Sequence, residues 1–184
     1  YRLLEINRKI NAELDLERLL ELIMDTAVEL TGAERGFLLL ADPQSGALRV
    51  EISRHLDARS LETEEGAYSR SIAEKVLREG APLITTSAKE DPRFEGYLSV
   101  HKLSLQSVLC IPIRARGRSV GVLYMESRIA RGKFTLSDQR LLLAFGDQVA
   151  LALTNAQLHR ENAARARALE QTNDELRHAK SELE

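Results

Sequence analysis

Tryptophan is absent, cysteine occurs once and proline four times in 184 residues. A single thiol, Cys110, can close no intramolecular disulfide and can supply no cysteine-based structural zinc site. That usage suits a reducing, cytoplasmic compartment. Four Phe and four Tyr without a Trp argue against a large aromatic cofactor box. No uninterrupted apolar run approaches the roughly 18–20 residues of a membrane helix, and no membrane association is expected. No N-terminal segment reads as a signal peptide. Lys and Arg number 26 against 28 Asp and Glu, a net charge of −2. With no basic cluster interleaved with aromatics, direct nucleic-acid binding is not expected either. The chain starts at Tyr1 rather than Met, which predicts a piece excised from a longer protein.

Catalytic signatures are missing as well. There is no P-loop, no Gly-x-Ser-x-Gly elbow, no His-Glu-x-x-His and no Gly-x-Gly-x-x-Gly. The histidines at 55, 101, 159 and 178 are scattered. His101 could ligate haem or a metal, but a surface histidine is the plainer reading. Cys110 lies in a strand-like run, where a lone cysteine is usually a small buried hydrophobe. An enzyme is not expected, and no catalytic or metal-ligating set is assigned.

What is present is a clear alternation of periods. Residues 1–31 carry apolar residues at helical spacing, with Asp15 as an N-cap dividing a leading helix from a second one and Gly32 as the stop. Gly36–Leu40 and Ala47–Ile52 read as a strand hairpin around Asp42–Gly46. Residues 67–80 read as a short helix closing on Gly80, and Pro82–Thr86 as a short strand. Residues 87–105 read as polar and irregular. Ser107–Ile113 and Ser119–Tyr124 read as strands joined at Arg116-Gly117. Alternation sets Val108, Cys110 and Pro112 against Ser107, Leu109, Ile111 and Ile113 on opposite faces. Successive hairpins flanked by helices predict an α+β fold with an antiparallel sheet.

From Leu136 to Glu184 the only glycine is Gly146 and there is no proline. The stretch predicts one helix about 74 Å long at about 1.5 Å per residue. Leu151 and Leu158 are a heptad apart, as are Leu169, Leu176 and Leu183. The step from Leu158 to Leu169 is a stutter. This pattern predicts a parallel homodimeric coiled coil with Asn173 fixing its register. A single exposed helix is the other reading. Residues 1–14 would join the same bundle.

The run Ser107-Val-Leu-Cys-Ile-Pro-Ile113, the turn at Gly117, Val120-Gly-Val-Leu-Tyr124, then Phe134, Asp138, Ala150, Ala152 and Asn155-Ala156 resemble a GAF domain. So do Leu14-Asp-Leu-Glu-Arg-Leu-Leu20 and Leu30-Thr-Gly-Ala-Glu-Arg-Gly-Phe37. The resemblance implies a GAF-like (profilin-like) central antiparallel sheet of five or six strands. Helices from both chain ends would pack on one face, followed by a long C-terminal coiled-coil helix. The implied organisation is a leading helix at 1–14, a GAF domain at 15–160, and a signalling helix at 161–184 that leads to an output domain. The opening and the charged tail look most like GAF domains of bacterial regulators that precede a sigma-54-activating AAA+ ATPase. The implied function is a small-molecule sensor that dimerises and acts on that output in transcription regulation. The alternative is a ligand-free dimerisation module of a histidine kinase or a cyclase-type protein.

The resemblance also implies a pocket between the outer face of the sheet, the short helix and the 87–105 loop. Phe37, Cys110 and Tyr124 would floor it. Arg93, Phe94 and Tyr97 would come from the loop, and Arg70 and Ser71 from the helix start. The ligand is unknown. Where cyclic-nucleotide-binding members carry Asn-Lys and Asp-Glu, this chain has Ser127-Arg128 and Asp138-Gln139, so a cyclic nucleotide is not expected. Bilin attachment and haem are not expected either. Arg128 and Asp138 are expected to form a structural pair that ties the last strand to the final helix.

Overall fold

The computed structural model describes residues 2–55 and 68–182. Two helices open the chain, α1 (Arg2–Ala12) and α2 (Leu16–Thr31). Asp15 separates them as the expected N-cap, its carboxylate accepting from the Arg18 N–H at 3.0 Å. Gly32 ends α2 at φ 61°, its N–H returned to the Val28 carbonyl, a left-handed C-cap that glycine adopts without strain.

Five antiparallel strands follow, in the spatial order β2-β1-β5-β4-β3. They are β1 (Arg35–Ala41), β2 (Leu48–His55), β3 (Leu83–Thr85), β4 (Ser107–Ala115) and β5 (Arg118–Ser127). Between β2 and β3 lies α3 (Arg70–Glu79). The expected irregular segment 87–105 holds two short elements, a 3-10 turn at Pro92–Phe94 and α4 (Leu98–Lys102). The chain ends on α5 (Leu136–Glu182), 47 residues in one helix.

The two faces of the sheet carry separate cores. Leu38, Leu109, Ile111, Leu123 and Met125 face α1, α2 and α5, which contribute Ile10, Ile23, Met24, Phe145 and Val149 among others. Phe37, Leu39, Val108, Cys110, Val122 and Tyr124 face α3 and α4, with Ile72, Val76, Phe94 and Val100 above them. Because both faces are covered, the central strands read as continuous apolar runs.

Two glycines permit the close approaches. A Cβ at Gly121 would collide with the Leu39 carbonyl oxygen on the neighbouring strand, so only glycine lets β5 lie against β1 there. A Cβ at Gly146 would come 2.6 Å from Cδ1 of Ile111, and its absence lets α5 settle onto that side chain of β4. Within Leu136–His178 an 18-residue window reaches a mean hydropathy of 1.2, enough in length and composition to cross a membrane. Its apolar side chains Leu142, Phe145, Val149, Leu153 and Ala156 are buried in the core, which accounts for that apolarity.

Candidate functional site

Alternation along β1 and β5 brings Phe37 and Tyr124 opposite one another, and β4 places Cys110 across from Tyr124. The three side chains expected to floor a pocket therefore do meet, and all are buried. Tyr68, at the approach to α3, completes an aromatic trio. Its ring lies 5.5 Å from Phe37 and 5.9 Å from Tyr124, and those two are 6.0 Å apart. The Tyr124 hydroxyl accepts from the Ser69 N–H at 3.2 Å. The Ser69 hydroxyl pairs with that of Ser99 on α4 at 2.8 Å. A chain of hydrogen bonds thus runs from the sheet through the start of α3 to the short helix above it. Burial pushes the Cys110 thiol well up, which leaves it without thiolate character.

Two residues further along β5, on the same face, sits Glu126. It is fully buried, and its Oε1 meets Arg128 Nε at 2.9 Å and Arg35 Nη1 at 3.5 Å. The carboxyl also has the Tyr124 hydroxyl as a neighbour, whose hydrogen bond favours the ionised form. Burial raises the carboxyl above its ordinary value of 4.5, against the pull of Arg128 and Arg35. Burial, and then the nearby Glu126 charge, pushes the Tyr124 phenol far up. Arg35 also lies over the Phe37 ring, 5.6 Å from its centroid. Glu126, Arg35, Tyr68 and Ser69 were not among the sequence candidates. The signal for Glu126 was the strand period, which carries the face of Val122 and Tyr124 on to the next charged position.

The other candidates are placed elsewhere. Arg70 is exposed and pairs with Glu74 one turn along α3 at 3.0 Å. Ser71 is half-buried on α3. Arg93 is held by Asp91 and donates to the Ile84 carbonyl at 2.9 Å. It thereby occupies the outer edge of β3, beside an open cleft of about 490 Å³. The Arg93 hydrogen bond drops the Asp91 carboxyl to about 2. Phe94 is buried and Tyr97 lies 5.5 Å from it, under the 87–105 segment. The Arg128–Asp138 pair does not form. Arg128 goes to Glu126, its N–H meets Glu34 at 3.0 Å, and Asp138 closes a capping box with Thr135 at 2.7 Å. A partner three residues away outcompetes one that must cross from the sheet. Among the described residues no three His, Cys, Asp or Glu side chains converge as a metal site requires.

The profile of the family described as "GAF domain" matches residues 15–153. The chain belongs to the GAF domain family. It is 31% identical over 168 residues to a dual 3',5'-cyclic-AMP and -GMP phosphodiesterase 11A of Takifugu rubripes, covering 82% of this chain and 19% of that protein. It is 28% identical over 126 residues to the Nif-specific regulatory protein of Azotobacter vinelandii, covering 66% of this chain and 24% of that one. The chain therefore spans a quarter or less of either relative. Among solved structures, the GAF domain of an Acinetobacter phosphoenolpyruvate-protein phosphotransferase superposes with a TM-score of 0.66 at 18% identity. It covers 84% of this chain and 91% of that one. This GAF fold is thus a module found in signalling proteins of several kinds.

The distal helix completes the geometry. Leu151, Leu158, Leu169 and Leu176 are all exposed, at 46–71%. Leu142 points into the core, and Leu151 lies about two and a half turns further on, at about 3.6 residues per turn. The same arithmetic returns Leu158, Leu169 and Leu176 to within about 20° of the side opposite the core. Asn173 is exposed on the same distal stretch, and Leu183 lies outside the described residues.

Proposed function

We propose that this GAF domain is a regulatory sensor that works as a homodimer and passes a change at its Phe37–Tyr124–Glu126 face along α5 to an output domain. The observation that carries the reading is the division of α5. One side of its first half is domain core, while the opposite side bears a leucine stripe that continues past the domain. A helix with both properties links interior packing to a partner helix. The stripe, with Asn173 and the stutter between Leu158 and Leu169, suits a second copy in parallel register. Residues 15–160 form the sensing domain in this reading, and 161–184 the connector.

A small ligand would meet aromatic rings and a buried carboxyl group, an apolar wall with one polar anchor. The output is proposed as an AAA+ activator of sigma-54 transcription. The sequence resemblance and the likeness to a regulatory protein of Azotobacter vinelandii support it. The close packing of Phe37, Cys110 and Tyr124 favours the second reading, a ligand-free dimerisation module in a histidine kinase or cyclase-type protein.

Native mass spectrometry tests the dimer and the ligand together. The expected result is a dimer that releases a small molecule on denaturation. A dimer with nothing bound selects the second reading. A monomer at micromolar concentration overturns both.

A further inference from the structure

Residues 89–105 lie over part of the Phe37–Tyr124 face as a closed loop. The chain meets itself at their two ends, where the Ala88 N–H donates to the Gln106 carbonyl at 2.8 Å. That closure gives the segment the form of an Ω-loop. Its own backbone bonds are local. The N–H groups of Phe94, Tyr97, Val100 and Leu105 return to the carbonyls of Asp91, Phe94, Tyr97 and Val100. Among the described residues no backbone hydrogen bond joins 89–105 to a strand. On its underside Phe94, Val100 and Leu105 are fully buried, in the cluster that also holds Cys110 and Tyr124.

Polar side chains fasten this loop to the domain. At the sheet edge Arg93 donates through Nη2 to the Ile84 carbonyl at 2.9 Å and through Nε to Asp91 at 2.9 Å. Asp91 also accepts from the Thr85 hydroxyl. The same guanidinium lies over the Phe94 ring, 5.3 Å from its centroid. One side chain therefore ties the loop to β3 and pins the aromatic ring that anchors its underside. Arg93 is itself half-exposed, at 52%, in the open cleft beside β3, so it can exchange its partners for water without disturbing the core. Toward α3 the second tie is the Ser99–Ser69 hydroxyl pair at 2.8 Å. The third, Arg131 with Glu90, is about 60% exposed on both sides and contributes little. Next to the closing end Ser104 is held at φ 53°, a left-handed conformation that costs an L-residue free energy. The closed loop thus stores strain beside its hinge.

We propose that residues 89–105 are a gate that swings off the sheet as one unit about the Ala88–Gln106 bond, with Arg93 as its latch. The local backbone bonds travel with the loop, so opening breaks none of them. Phe94, Val100 and Leu105 leave the shared cluster together, which makes the step cooperative and local. Release of Arg93 frees the sheet edge and the Phe94 ring at once. The gate deepens the reading of the Phe37–Tyr124 face as a sensing site and rests on it for what enters. The opening itself needs no ligand.

Amide hydrogen exchange of the intact chain, followed by NMR across a urea series, tests the proposal. Tyr97, Val100 and Leu105 are expected to share one opening constant, larger than that of Leu109, Ile111 and Leu123 and with a shallower urea dependence. Arg93→Ala should raise that constant at least about tenfold, the loss expected for a hydrogen bond from a charged donor. Ser99→Ala should raise it about threefold. Arg93→Lys, which keeps the charge and loses the fork, should fall between wild type and Arg93→Ala. Exchange in β4 and β5 should stay as it was, and Lys75→Ala on α3 should move neither set. Cys110, the one thiol in the chain, should be labelled faster in Arg93→Ala by the same factor as the loop amides. Loop amides that exchange only together with the sheet, an opening constant unmoved by Arg93→Ala, or an unchanged labelling rate at Cys110 would each overturn the gate. The sensing reading fails separately, if the gate opens as expected and native mass spectrometry finds no small molecule.

Discussion

The helix-covered face of the sheet buries Leu109, Ile111, Met125, Phe145 and Val149 with no ionisable side chain among them, whereas the opposite face buries Arg35 and Glu126 beside Phe37 and Tyr124. The covers differ as well. Helices of 16 and 47 residues lie on the first face, and helices of 10 and 5 residues with a 3-10 turn lie on the second. Apolar packing has a single good arrangement and no charge state to change. A buried carboxyl and a chain of hydroxyls have several, and short elements above them can respond locally. The first face is framework; the second holds the buried groups whose charge can change.

The comparison breaks most visibly if the framework is truncated. Phe145→Ala should cost about 4 kcal/mol, the usual range for emptying a buried aromatic site, measured by urea unfolding. Gly121→Ala should follow at about 3 kcal/mol, because the new Cβ meets backbone that cannot move aside. A loss well under 1 kcal/mol would show that β1 and β5 separate easily. On the polar face, Tyr124→Phe should cost about 1–2 kcal/mol, since it leaves the Ser69 N–H buried without its acceptor. Hydrogen exchange at Ser69 should accelerate with it.

Glu126 should impose a pH dependence. Its folded carboxyl titrates above its ordinary 4.5, so the folded state holds the proton more tightly than the unfolded chain. Stability contributed by that proton is fully present below 4.5 and falls as pH rises through the folded value. Glu126→Gln should remove this decline, and a slope that persists would place its origin elsewhere. Asp91 has the opposite sign. Held at about 2 against an ordinary 3.8, it stabilises above 3.8 and loses that contribution as pH falls toward 2. The smallest effect is expected at Arg70→Ala, about 0.3 kcal/mol for an exposed pair within one helix.

Much of the framework was legible from the residues. Strands covered on both sides announce themselves as apolar runs, and a stretch without proline holding one glycine announces a long helix. The polar face was harder to read. The turn at Pro92–Phe94 and α4 are too short for any period to show; Asp91, accepting from the Arg93 N–H at 3.1 Å, sets the first of them locally. Phe37, Cys110 and Tyr124 are marked by the family resemblance, and the strand register sets them side by side. Glu126 is hard to read because a charge at the end of an apolar run looks like a strand reaching solvent, and its cover comes from elsewhere in the chain. The resemblance points Asp138 toward Arg128, whereas Thr135, three residues away, is nearer.

The anchoring of α5 has a mechanical consequence. Its last fully buried residue is Ala156, and the helix runs on to Glu182, an arm about 39 Å long at about 1.5 Å per residue. A tilt of about 5° at the root would swing the tip by about 3.4 Å over that length. Gly146, whose lack of a side chain makes room for that of Ile111 on β4, lies ten residues from the fulcrum on the short end of the beam. Displacements too small to disturb the packing there would be magnified at the far end.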